Sequence, residues 1–238
     1  MELQPHLHRI GNDIVAVYLV DTAEGVTVID AGLPGHWHDL QVELRTMGRS
    51  LADIRGVILT HGDSDHIGFA ERLRREHGVP VYVGSGDAAR AKGGPKPANA
   101  RQAIKLGAAL GFFAYTIRKN GLRATYLTEV VDVHDGDILD LPGAPRIIAL
   151  PGHSEGSIAI HIPAVDAVFV GDALTTRHVL TGRTGPQRAP FTDEPDQAVR
   201  SLRAIVPTHA SWVLPGHGAP WNGGVEAAVT AVELSTPA

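Results

Sequence analysis

The sequence contains no cysteine, which excludes disulfides, thiolate metal sites and cysteine nucleophiles together. It has no apolar run approaching the ~18 residues of a membrane span. Basic tracts are missing too. With 21 Lys and Arg against 26 Asp and Glu, the formal net charge is −5, which argues against a nucleic-acid groove. The opening stretch, MELQPHLHRIGND, has no basic segment followed by an apolar one, so no secretory signal is expected and a soluble, cytoplasmic protein is. Ser-x-x-Lys does not occur, and the serine of Gly152-His153-Ser154-Glu155-Gly156 is read as bonding its own turn and not as a nucleophile. What remains is oxygen and imidazole chemistry, and 13 histidines, several beside glycine and aspartate, can supply it.

The 238 residues suit one large domain or two small ones, and 43% hydrophobic with 20% charged residues describes an ordinary globular chain. A chain of this length buries about 70–75% of its extended surface, so it needs no staples. The opening third alternates strands and helices. Residues 14–20 (IVAVYLV) and 25–30 (GVTVID) read as a hairpin, and 36–47 as a helix with Trp37, Leu40, Leu44 and Met47 on one face and Gly48 after it. Strand 55–60 (RGVILT) follows, then a helix bearing Phe69, Leu73 and His77, and a strand at 79–83. Residues 84–125 differ. A Gly/Pro/Lys loop leads into a helix with one stripe of Leu106, Leu110, Phe113 and Ile117 and a second of Ile104, Ala108 and Phe112. A helix apolar on two sides needs two surfaces to cover it, which predicts an inserted cap facing a cleft or a second subunit, and so suits a homodimer. Short strands resume at 130–133, 146–150, 157–162 and 167–170, with a helix at about 194–205, the segment SWVLPGHG (211–218) and a short tail. GVTVIDAG (25–32) weakly echoes DAVFVGDAL (166–174), each a strand running into an aspartate turn.

Four places share one layout, in which a short apolar strand ends and a His or Asp follows in a glycine-containing turn. They are VILT-His61-Gly-Asp63-Ser-Asp65-His66, IIALPG-His153, AVFVG-Asp172 and WVLPG-His217. A sheet fixes the backbone while the loops leaving it aim side chains, so sites concentrate there. A metal takes four to six ligands at ~2.0–2.2 Å, so these seven residues suit two ions, with Asp172 spanning them. The isolated histidines His6, His8, His36, His38, His77, His134, His161 and His209 are read as structural or solvated. Ser154 and Ser157, after His153, are read as hydrogen-bonding their own turn.

With this order of strands and ligands, the chain resembles the metallo-β-lactamase-fold superfamily over nearly its whole length, from the IVAVYLV/GVTVIDAG hairpin to LPGHG. The resemblance implies an α/β fold, a four-layer αβ/βα sandwich of two mixed β-sheets flanked by helices. One such domain would span 1–238, with the helical cap inserted at about 86–125. It implies a dinuclear site at one edge: His61, the residue at 63 and His153 on the first ion, Asp65, His66 and His217 on the second, Asp172 bridging, and Asp30 supporting the site from behind. It further implies a metal-dependent hydrolase of the glyoxalase II or lactonase-like branch. A metal-bound hydroxide would cleave a small ester, thioester or lactone, with Asp65 shuttling the proton. β-Lactamase and phosphoesterase activities occur in the same superfamily, and a ligand-sensing protein with little turnover is the non-enzymatic alternative.

The motif departs from the family at Asp63, where the usual His-x-His-x-Asp-His has a second histidine. Two dications, one hydroxide and two carboxylates leave one positive charge, which a third carboxylate would cancel. The expectation is therefore two divalent ions, zinc by family but with preference moved toward manganese or iron, and a first site weakened by the shorter side chain. Tyr115 and Tyr126 are read first as core or surface residues and second as hydrogen-bond donors to a substrate. Loop 174–191, with Arg177, His178, Arg183 and Arg188, is read first as a solvated loop and second as a contact for an anionic group.

Overall fold

A computed structural model of the chain describes residues 1–97 and 104–235. Seven strands form one mixed sheet in sequence order: β1 (Glu2–Gln4), β2 (Leu7–Gly11), β3 (Ala16–Thr22), β4 (Gly25–Ile29), β5 (Ile54–Leu59), β6 (Val81–Gly84) and β7 (Val131–Val133). The first four pair antiparallel, as hairpins allow, and β4 to β7 pair parallel through crossovers. A second sheet has the order β13-β10-β9-β8, built from β8 (Arg146–Ala149), β9 (Ile158–Ile162), β10 (Ala167–Gly171) and β13 (Trp212–Pro215). Between β10 and β13 lies a small hairpin, β11 (Thr175–Arg177) with β12 (Thr184–Gln187).

The central strands read as unbroken apolar runs because both of their faces are covered. Val17 and Leu19 of β3, with Val57 and Leu59 of β5, point toward α1 (His36–Thr46) and α2 (Ala70–His77), where Leu40, Leu44 and Leu73 complete one core. The alternate residues Ala16, Tyr18, Val20, Ile29 and Ile58 face the second sheet and meet Ile158, Ile160, Ile162, Ala167 and Phe169. Beyond that sheet, Val168, Val170 and Val213 pack on α5 (Pro195–Ser201), the tighter turn Leu202–Thr208 and α6 (Val225–Ser235) through Leu202, Ile205, Ala228 and Val232. The layers are therefore helix, sheet, sheet, helix, as the family resemblance implies. No helix among the described residues is long and apolar enough to cross a membrane.

Several boundaries differ from those the sequence suggests. Strand β2 has no clear signal in the sequence, since LHRIG carries a histidine and an arginine. His8 nevertheless bonds Glu43 at 2.9 Å and Arg9 bonds the carbonyl of Gly218 at 2.9 Å, so both are buried with partners. The tail after residue 218 contains α6, whose apolar residues are mostly alanine and valine and give a weak helical signal. In the expected cap, residues 98–103 lie outside the described residues. Two short elements, including α3 (Ala88–Ala91), precede them, and α4 (Leu106–Arg118) follows. Tyr115 anchors α4 by contacting Val15 and Leu33 and by bonding His36 Nε2 at 2.7 Å. Phe112 on its inner side lines a cleft, whereas Leu106, Leu110, Phe113 and Ile117 are each more than half exposed. Neither stripe is covered as a whole: Ile104 of the second is 64% exposed, and the residues α4 buries are Ala109 and Tyr115, with Phe112 half-buried beside them.

Candidate metal centre

Strands β4, β5, β8, β10 and β13 all end at one edge of the sandwich, and the turn after each carries a polar side chain into the same volume. Asp30 follows β4 in the left-handed region, φ 61°, which aspartate tolerates better than most residues. The loop after β5 is tied by His66 N–H to Asp63 O (2.9 Å) and by Ala31 N–H to His66 O (2.6 Å). Backbone bonds join the sheets at this edge, from Ile158 N–H to Thr60 O and from Ala16 N–H to Gly216 O, both 2.9 Å. A Cβ at Gly216 would lie 2.4 Å from His66 Cε1 and 2.7 Å from Asp172 Oδ1, so only glycine lets the chain after β13 pass this close.

The seven residues read from the sequence come together. His61, His66, His153 and His217 are 0–2% exposed. Each has its Nδ1 engaged from behind. His66 Nδ1 donates to Asp30 Oδ2 at 2.9 Å, and His217 Nδ1 to the carbonyl of Ile14. Thr60 gives its single hydroxyl proton to Asp30 and Thr192 gives its own to Ala189 O, so each accepts from His61 Nδ1 (3.1 Å) and His153 Nδ1 (3.3 Å). With Nδ1 fixed as donor in every case, the four Nε2 atoms point inward. Those of His61, His66 and His153, with Asp172 Oδ1, are buried without a partner among the described residues. Buried polar atoms left this way ordinarily cost about 1–3 kcal/mol each, so an arrangement that keeps them is built for something else to bind.

The spacing suits cations. Asp172 Oδ1 is 3.6 Å from His66 Nε2, and Asp172 Oδ2 is 3.8 Å from His153 and 3.1 Å from His217. Asp65 Oδ2 is 3.5 Å from His217 Nε2, and Asp63 Oδ2 is 3.9 Å from both His61 and His153. Tetrahedral ligands at ~2.0–2.2 Å stand about 3.3–3.6 Å apart, so small adjustments close each set around an ion. The donors group as His61, Asp63 and His153, as Asp65, His66 and His217, and as His61, His66 and Asp172, within 4.8 Å in each case. Asp172 reaches across both of the first two groups.

Burial pushes the His61 imidazole well below its ordinary value, and the neighbouring His66 and His153 push the same way, so it is neutral and able to ligate. Burial also opposes charge on His66, but Asp30 and Asp172 outweigh it and hold that imidazole up at about 10. A cation entering beside His66 therefore displaces a proton. Burial disfavours the charged forms of Asp63 and Asp172 too. The surrounding histidines, and for Asp63 the cations Arg90 and Lys96, overcome it and hold both carboxyls far below the usual carboxylate range.

Sequence reasoning missed a set of supporting residues. Asp87 is buried and joins two loops of the site, accepting from Gly62 N–H (2.7 Å), Ser154 Oγ (2.7 Å) and Gly156 N–H (2.9 Å). Its signal is present, because VYVG-Ser-Gly-Asp87 repeats the strand–glycine–aspartate layout of the other four places. Ser154 and Ser157 bond each other at 2.7 Å within their turn. Arg90 grips Asp63 with two nitrogens, Nε on Oδ1 and Nη2 on Oδ2 at 3.1 Å, and bonds Asp193 Oδ2 at 2.6 Å with the third. Lys96 Nζ lies 2.6 Å from Asp63 Oδ1. The charge count drawn from the sequence omitted these two cations. Asp63 is a compensated carboxylate, so the expectation that it cancels the charge of the site does not hold.

Above the site opens a cleft of about 290 Å³, with Asp63, Asp65, His153, Asp172 and His217 on its floor. Leu33, Phe112, Val179, Pro190 and Phe191 form its walls, and Lys96 is its only cationic lining residue among the described ones. Loop 174–191 contributes through Val179, Pro190 and Phe191. Its expected basic residues Arg177, His178, Arg183 and Arg188 do not line the cleft, and neither do Tyr115 and Tyr126.

Comparison with known proteins agrees with this geometry. The chain is 26% identical over 229 residues to the Bacillus subtilis protein named probable metallo-hydrolase YflN, covering 91% of this chain and 85% of that one. Its fold matches the crystal structure of the metallo-beta-lactamase family protein TTHA1429 from Thermus thermophilus, with a TM-score of 0.72 and 22% identity over 98% of this chain and 80% of that one. A structure of TTHA1623 in a di-iron-bound form matches with a TM-score of 0.62 and 26% identity, covering 92% of this chain and 96% of the other. The family model of the metallo-beta-lactamase superfamily matches residues 10–217, which take in every one of the strand-end residues above, and the chain belongs to that superfamily of metal-binding hydrolases.

Proposed function

We propose that the chain is a dinuclear metallohydrolase of small, partly apolar acyl substrates, an ester, thioester or lactone, of the glyoxalase II or lactonase-like kind. The observation that carries this reading is the cleft, with buried, inward-facing Nε2 and carboxylate oxygens on its floor and apolar Leu33, Phe112, Val179 and Phe191 around its walls. In the proposed arrangement His61, Asp63 and His153 hold one ion, Asp65, His66 and His217 the other, and Asp172 touches both. Bound divalent ions supply Lewis acidity and make water an effective nucleophile near neutral pH. The protein's own contribution is positional. The threonine, aspartate and carbonyl partners of the Nδ1 atoms fix each imidazole, and the apolar walls strip water from the acyl group.

Asp65 is the proposed proton carrier. At 22% its side chain is the most exposed of the seven, it lines the cleft, and its carboxylate lies beside His217. It can accept a proton at the floor and deliver it to a leaving group above. Small anionic substrates fit less well, since Lys96 already faces Asp63. Apart from the ions themselves, a phosphodiester would find no unpaired cationic side chain lining the cleft among the described residues. The alternative of a ligand-binding relative with little turnover draws support from Arg90 and Lys96, which compete with a cation for Asp63.

The test is a panel of a thioester, a lactone, an aryl ester, a β-lactam and a phosphodiester, with Asp172→Ala as control. Metal-dependent turnover of one of the first three, lost in the control, is the expected result. Turnover confined to the phosphodiester would move the assignment to phosphoesterases, and none with a fully metallated protein would favour binding without catalysis.

A further inference from the structure

At position 63, where the family resemblance implies a neutral imidazole, this chain places a carboxylate. That carboxylate is not free. Asp63 Oδ1 takes Arg90 Nε and Lys96 Nζ, while Oδ2 takes Arg90 Nη2 on one side and looks at His61 and His153 on the other. Arg90 is itself pinned through its third nitrogen to Asp193. The four charges of Asp63, Arg90, Lys96 and Asp193 sum to zero. The Arg90 and Asp193 side chains are only 7% and 9% exposed, so bulk water does little to screen them. A planar guanidinium gripping both carboxylate oxygens also fixes the direction in which the remaining lone pair of Oδ2 points.

We propose that Asp63 and Arg90 act as one composite neutral ligand, occupying the place of an imidazole and matching its charge at the first ion site. Arg90 is thus a positioning residue: it sets the aim and the effective charge of Asp63. The proposal rests on the dinuclear hydrolase reading above and deepens it. Its consequence is that residues 63 and 90 are exchangeable only as a pair. Restoring the superfamily histidine alone would leave Arg90 facing two ions and three imidazoles, with its bidentate partner gone. A charge of the same sign as the cation would then stand at the site, and cation binding would weaken.

The experiment measures zinc per chain by mass spectrometry, together with zinc affinity by competition with a chromophoric chelator. The proteins are the wild type, Asp63→His, Arg90→Gln and the double variant, each checked for folding by circular dichroism. The expected wild-type result is two ions. Asp63→His should bind the weaker ion at least ~10-fold less tightly, the size typical of disturbing a residue behind a ligand. Arg90→Gln alone should weaken that ion ~3-fold, and adding it to Asp63→His should recover affinity to within ~3-fold of wild type, giving a coupling of about 10-fold between the positions. The direction of the single histidine change decides by itself should an Arg90 variant not fold, because a merely defective ligand at 63 would be improved by histidine. Unchanged or tighter binding in Asp63→His overturns the proposal. One ion per chain in the wild type also overturns it: a second ion gained in Arg90→Gln would show that Arg90 displaces the first ion, and one ion in all four proteins would show that the first site holds none, either result leaving a mononuclear hydrolase standing. No ion in the wild type removes the metallohydrolase reading itself.

Discussion

The floor and the roof of the cleft are built on opposite terms. On the floor, every histidine lies in the loop that follows a strand, and is held at Nδ1 by a neighbouring group. On the roof, α4 touches the body through Tyr115 and Phe112 on one side and turns Leu106, Leu110, Phe113 and Ile117 to the outside at 74%, 58%, 53% and 57% exposure. The floor has one way to be arranged, and the roof is attached at a few points. Chemistry that depends on sub-ångström placement belongs to the first, and the shape of the substrate to the second.

The widest separation of the two regions comes from Asp172→Ala, which removes the carboxylate common to both ligand groups. Hydrolysis should fall by about three orders of magnitude, equivalent to ~4 kcal/mol of barrier, with the same substitution lowering bound metal. Asp30→Asn sits one layer further back, where it loosens His66 and Thr60 together. Metal affinity should drop by roughly 10–100-fold in a chelator competition, with the far-ultraviolet spectrum unchanged. Stripping metal with a chelator should lower the melting temperature by about 5–15 °C, since an ion present at roughly 100–1,000 times its dissociation constant adds ~2.7–4.1 kcal/mol. On the roof, Phe112→Ser should raise KM for an apolar acyl substrate about 10-fold, ~1.4 kcal/mol, and leave metal content alone. Leu110→Gln on the outer stripe should shift stability by no more than ~0.5 kcal/mol and change neither constant.

The join between the regions has its own signature. Nδ1 of His36 accepts from Leu33 N–H, so its Nε2 carries the proton and donates to Tyr115. Burial, with help from nearby Lys119, pushes this histidine down to about 4 from 6.5. The unfolded chain therefore takes up the proton first as pH falls. The stability gained by keeping His36 neutral is whole above pH 6.5 and is lost between about 6.5 and 4. Melting curves across that range should be flatter for His36→Gln than for the wild type, and equal slopes would mean that another group controls the acid limb.

Much of the floor was legible because its logic is local. A buried strand ending in a glycine turn with His or Asp announces itself within about eight residues, as Asp30, His61, His153, Asp172 and His217 do. Asp87 obeys the same rule, but no ligand role attaches to it and so nothing singles it out. The Arg90 cluster was not legible, since Arg90 meets Asp63 27 residues away and Asp193 103 residues away along the chain. No pattern in a single sequence records such distant charge pairings. The helix α4 was recognisable from its period, but the side that it buries, with Ala109 and Tyr115, was not, because that depends on where Tyr115 meets His36. β2 was hidden by polar residues whose partners come from elsewhere in the fold.

A chain without cysteine has no covalent tie between its two halves, and the position of the metal centre makes up for that. His61 and His66 belong to the first sheet's side and His153, Asp172 and His217 to the second, so ions held there would close loops running from residue 61 to residue 217. Coordination would then serve as a removable cross-link across the whole sandwich, strongest where the intervening chain is longest. Metal supply would set how long the molecule survives proteases as well as how fast it turns over, and the two dependences would share one midpoint.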